Sequence, residues 1–146
     1  MKNANVNWFV KEPDDVYVAH TEYYAGSCNS MEDFVVDIEL WNNRWNNKED
    51  VAHMRNAKLV ISFANAEDSV LLSLCEVKVN DGTFNKPDVS EFNRGIVELG
   101  TISGAKNNGH ESNTDNYRKI TLKFSNIPNN FRSGLKSLFL DTQFDE

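Results

Sequence analysis

Residues 34–41 alternate apolar and polar side chains with a period of two. Phe34, Val36, Ile38 and Leu40 share one face; Val35, Asp37, Glu39 and Trp41 share the other. That spacing predicts a half-buried β-strand. The same rule predicts strands over residues 59–63, with Leu59, Ile61 and Phe63 inward, and 119–124, with Ile120, Leu122 and Phe124 inward. Shorter apolar runs at 8–10, 16–19, 96–102 and 135–140 read as further strands. In 70–79 the pattern changes phase: Val70, Leu72 and Leu74 set one parity, and Cys75, Val77 and Val79 the other. A β-bulge produces such a shift, as do two short strands at a sandwich corner.

Turn chemistry separates these runs. Glu12-Pro13-Asp14-Asp15 and Asn80-Asp81-Gly82 read as turns, and residues 104–116 as a long polar loop. Residues 23–30 read as irregular, 49–57 as one or two helical turns, 127–131 as a loop, and the end after Leu140 as an acidic tail. No amphipathic helix, sequence repeat or linker stands out. About seven or eight strands without helices predict a single all-β domain over residues 1–146, an antiparallel sandwich of Ig-like or jelly-roll connectivity.

Composition agrees with one folded domain. Hydrophobic residues make up 40% and aromatics 11%, enough for a real core. The net charge of −7 and the absence of a basic cluster argue against nucleic acid as a partner. No apolar run approaches a membrane span, and the first residues show no apolar signal segment, so synthesis in a cytoplasm is expected. Asparagine is the outlier, with 20 residues. Its side chain bonds nearby backbone and tolerates positive φ, which suits a loop-rich β protein, although an AT-rich genome also favours Asn codons. No Asn-x-Ser/Thr sequon occurs. Cys28 and Cys75 read as reduced core thiols or as one disulfide, with Cys75 lying in an apolar run.

Candidate chemistry is sparse. His20, His53 and His110 have no metal-ligand spacing. There is no nucleophile elbow, phosphate loop, dinucleotide fingerprint or calcium loop. Carboxylates are plentiful, at Asp14-Asp15, Glu32-Asp33, Glu49-Asp50 and Glu67-Asp68, but nothing in their spacing marks the pair a glycosidase needs. The chain is therefore read as non-enzymatic, without catalytic residues, metal or cofactor. Trp41, Arg44, Trp45, Tyr23 and Tyr24 remain. Aromatics on a sandwich face or loop can anchor a protein interface, stack on sugar, or simply close the edge of the core. Arg44 between Asn43 and Trp45 suits a protein interface.

Glu39-Leu-Trp-Asn-Asn-Arg-Trp45, Asp50-Val51, Asn56, residues 59–63 and Glu67-Asp-Ser-Val-Leu-Leu72 resemble segments of the small β-sandwich proteins of tailed-bacteriophage virions. The likeness lies in pattern, so it transfers no functional residue. It implies a structural subunit of the tail, baseplate or head, made in the host cytoplasm without a signal peptide and located in the virion. Its partners would be other virion subunits, in homo- and hetero-oligomeric contacts. A carbohydrate-binding module or receptor-binding domain touching host surface glycan is the alternative.

Overall fold

The computed structural model describes residues 2–10, 16–18, 22–28, 32–45, 48–128 and 136–146. Among the described residues there are ten strands: β1 (Val6–Val10), β2 (Val16–Val18), β3 (Tyr23–Cys28), β4 (Phe34–Asn42), β5 (Met54–Phe63), β6 (Cys75–Val79), β7 (Asp88–Val89), β8 (Gly95–Ile102), β9 (Tyr117–Phe124) and β10 (Lys136–Asp145). They form two antiparallel five-stranded sheets, β2-β1-β4-β9-β6 and β3-β10-β5-β8-β7, called here the first and second sheets. Every connection crosses between the sheets except the β1–β2 and β7–β8 hairpins. Of the two connectivities left open above, that alternation matches the jelly roll.

The predicted inward faces meet between the sheets. Leu40 and Leu122 of the first sheet and Leu59, Ile61, Leu138 and Leu140 of the second are fully buried. Each contributes about 1.5–3 kcal/mol relative to remaining exposed. β4 pairs with β9 over its whole apolar stretch, so Ile38 lies opposite Ile120 and Val36 opposite Leu122. These central strands place side chains on the outer face of the first sheet, where the candidate site lies.

Four local expectations are corrected. Residues 49–57 form no helical turns: β5 starts at Met54, and Asn56 at φ 50° makes the register shift that turns both Met54 and Ala57 inward. Residues 70–74 belong to a 3₁₀ helix, Ala66–Leu74, started by Asn65, whose side chain accepts from the Glu67 amide. The phase change at Cys75 is thus a helix-to-strand junction, and neither a bulge nor a sheet corner. Tyr23–Cys28 is an edge strand with a register shift opposite Gly26 at φ 107°, which hides its periodicity. The acidic tail continues β10 as far as Asp145 because it pairs with β5.

Cys28 and Cys75 are free and fully buried. Burial pushes each thiol from its ordinary 9.0 up to about 12. Stability tied to the neutral thiols is complete below about pH 9 and is lost as pH rises toward 12. Neither thiol is expected to react with a thiol reagent at pH 8 until the chain unfolds, so labelling should follow the global unfolding rate. Labelling of either at the rate of an exposed cysteine would contradict this burial.

Candidate functional site

The outward side of β4 does not remain polar to its end. Trp41 faces Tyr117 across the β4–β9 pair, and their rings stack at 4.3 Å with 18° between planes. With Phe9 of β1 they form a small cluster separate from the main core. The Trp41 indole N–H donates to Glu39 Oε1 at 2.8 Å, which fixes that carboxylate in place. Trp41 is fully buried, so it cannot touch a partner directly. It closes the outer edge of the fold instead.

Arg44 lies over this cluster. Its guanidinium carbon is 3.8 Å from the Phe9 ring centroid, 5.2 Å from that of Trp41 and 4.6 Å from that of Trp45. Such stacking is worth about 0.5–2 kcal/mol per contact, more where water is excluded. Arg44 is itself buried, whereas Trp45 is 62% exposed. An indole held in place yet open to solvent is suited to contact.

Trp45 is positioned from several sides. Asn43 and Trp45 adopt φ of 60° and 65° in the turn after β4. Positive φ at a bulky residue is a strained state that persists only where its surroundings enforce it. Gly109 packs against the indole so closely that a Cβ there would lie 2.8 Å from Trp45 Cδ2. Gly109 is at φ 75°, so glycine is favoured on both counts.

Buried asparagines tie this turn to its neighbours. Asn42 Nδ2 donates to the carbonyls of Ala52 and Ile102, and Asn42 Oδ1 accepts from the Asn5 amide. Asn43 Nδ2 reaches the Glu49 and Gly104 carbonyls. Asn107 Nδ2 donates to the Asn43 carbonyl, and its Oδ1 accepts from the Gly109 amide. Asn116 holds the Ser103 and Ala105 carbonyls. Part of the asparagine excess is therefore a framework of side-chain-to-backbone bonds where regular pairing stops. His53 plays a similar part, its Nδ1 accepting from the Gly104 amide.

Tyr23 and Tyr24 lie elsewhere. Both belong to β3 in the second sheet. Tyr23 packs inward near Trp8, with centroids 6.3 Å apart. Tyr24 is exposed, lies over Phe139 and shares a hydrogen bond with Ser27. The candidates thus divide between sheets: Trp41, Arg44 and Trp45 lie together, and among the described residues no row of aromatics joins them to the tyrosines. Among the described residues no group of three or more His, Cys, Asp or Glu is placed to hold a metal ion; His20 lies outside those residues.

Beside the cluster, on the same outer face, is a groove of about 240 Å³ lined by Phe9, Asp37, Ile38, Glu39, Lys119, Ile120 and Thr121. Its polar residues are paired across the strands, Asp37 opposite Thr121 and Glu39 opposite Lys119. Thr121 Oγ1 donates to Asp37 Oδ1 at 2.7 Å. Taken singly, these residues read as an ordinary solvent face. The one available signal was that two strands carry complementary polar groups at outward positions. Comparison with protein-family models, curated proteins and solved structures gave no match.

Proposed function

We propose that this chain is a non-enzymatic β-sandwich subunit that works by assembly, with the Arg44–Trp45 turn docking on a protein neighbour. The observation that carries the reading is the state of Trp45: largely exposed, yet held by Arg44, Gly109 and the asparagine framework. A rigid, solvent-facing tryptophan beside a stacked arginine has the composition of an interface hot spot, and its ordering cost is met before binding. The likeness of residues 39–72 to tailed-phage sandwich proteins supports a tail, baseplate or head-associated subunit. Its neighbours would be further copies of the chain and other virion proteins.

Trp45→Ala tests this. Unfolding stability is expected to fall by no more than about 2 kcal/mol, the upper range for losing its contact with Arg44. Self-association, read by sedimentation over a concentration series, is expected to weaken about 30-fold or more, as for an interface anchor. Gly109→Ala, which displaces the indole without deleting it, should give the same loss. Unchanged association in both variants would remove Trp45 from the contact. A collapse in stability of Trp45→Ala would make the turn part of the fold.

A further inference from the structure

We infer that the groove on the outer face of β4 and β9 is a second binding site, and that it takes a single neutral sugar ring. The inference does not rest on the assembly reading, because neither Arg44 nor Trp45 lines the groove.

Three observations point to a neutral polyol. The groove is mixed in charge: Asp37 and Glu39 supply carboxylates, Lys119 an ammonium and Thr121 a hydroxyl. A cationic ligand would meet Lys119, and an anionic one would meet both carboxylates; either leaves a like charge desolvated against it. A sugar donates to carboxylates and accepts from an ammonium through adjacent hydroxyls, so every group finds a partner.

The second observation is rigidity. Glu39 is only 7% exposed, and the Trp41 indole holds its Oε1. Asp37 is held by Thr121. All four polar residues stand on paired central strands, and Asp37, Glu39 and Thr121 require little further ordering on binding. The third is size and lining. About 240 Å³ falls below the roughly 300–1,000 Å³ of pockets for drug-sized ligands. Phe9, 8% exposed and capped by Arg44, contributes only a small apolar edge to the lining, so the polar side chains do most of the holding.

The test is an NMR titration of the ¹⁵N-labelled full chain with free hexoses, N-acetylhexosamines and pentoses at millimolar concentrations. Methylammonium and acetate are titrated as charged controls. Saturable shifts are expected for at least one sugar, centred on the amides of Asp37, Glu39, Lys119 and Thr121. Glu39→Gln retains an acceptor for the Trp41 indole but loses the charge. It should weaken binding about tenfold, the effect of removing one charge-assisted hydrogen bond. Lys119→Ala alters an exposed side chain, leaves the fold intact and should weaken binding similarly; it decides the matter if Glu39→Gln fails to fold. No saturable shift with any sugar overturns the inference. So do unchanged affinity in Lys119→Ala, shifts centred on Trp45 or Tyr24, and preferential binding of either charged control.

Discussion

Trp41→Ala is expected to destabilise the chain by about 3–5 kcal/mol, the range for truncating a fully buried large aromatic. For a domain of this size that lowers the melting temperature by the order of 10 °C. Three losses combine. The stack on Tyr117 disappears, a cavity opens at the end of β4, and Glu39 keeps its carboxylate at a 7% exposed position without the indole donor. Trp41→Phe should retain most of the packing and lose the hydrogen bond, at about 1–3 kcal/mol. Urea unfolding of the three proteins separates these contributions. A cost below about 1 kcal/mol for Trp41→Ala would show that the outer-face cluster adds little to the fold. Because Arg44 rests on the same cluster, Trp41→Ala should also release Trp45 and weaken association. Trp45→Ala should weaken association at a much smaller cost in stability. The two tryptophans are four residues apart and are expected to differ in that cost while sharing the loss of association.

Asn42→Ala is expected to cost a similar amount, about 3–5 kcal/mol, though it removes few atoms. Its amide is fully buried and satisfies the Asn5 N–H and the Ala52 and Ile102 carbonyls, groups from three segments of the chain. Truncation leaves all three without that partner at once. Asn42→Asp keeps the acceptor but turns a carboxylate oxygen toward two carbonyls, and should be at least as damaging at neutral pH. Burial would raise the new carboxyl in the folded state above its unfolded value of about 3.9, so the folded variant binds more protons. Its deficit relative to wild type should therefore shrink as pH falls from 7 toward 4. Urea midpoints measured at pH 7 and pH 5 test the sign. An equal deficit at both values would mean that the site is open to water.

Much of the architecture is legible along the chain, for a local reason. Strand alternation is a property of neighbouring residues, so Val36, Ile38 and Leu40 declare their face without reference to anything distant, as do Ile120, Leu122 and Phe124. Where local pattern and pairing diverge, the sequence misleads. The apolar residues of 70–74 have the spacing of a strand but lie in a 3₁₀ helix begun by Asn65. Residues 141–145 look like a charged tail but are held as strand by β5. Tertiary pairing overrides weak local preference in both cases.

The candidate site divides along the same line. Asn42 to Trp45 stands out in the sequence because a tryptophan is costly in a polar loop. Nothing local shows that Trp41 would be buried on Tyr117 while Trp45 stayed exposed, since the two rings differ only in what packs on them from β1, β9 and the loop at Gly109. Of the groove, only the polar residues at outward positions of two strands were legible. Asp37 and Thr121 are 84 positions apart, and their meeting depends on β9 choosing β4 as its neighbour. The sequence by itself determined an all-β sandwich, its central apolar faces and one unusual aromatic turn, because these follow from periodicity and side-chain type. Only the tertiary structure decided which tryptophan is free, which asparagines form the frame and which polar pairs share a groove, because each requires long-range strand order to bring distant residues together.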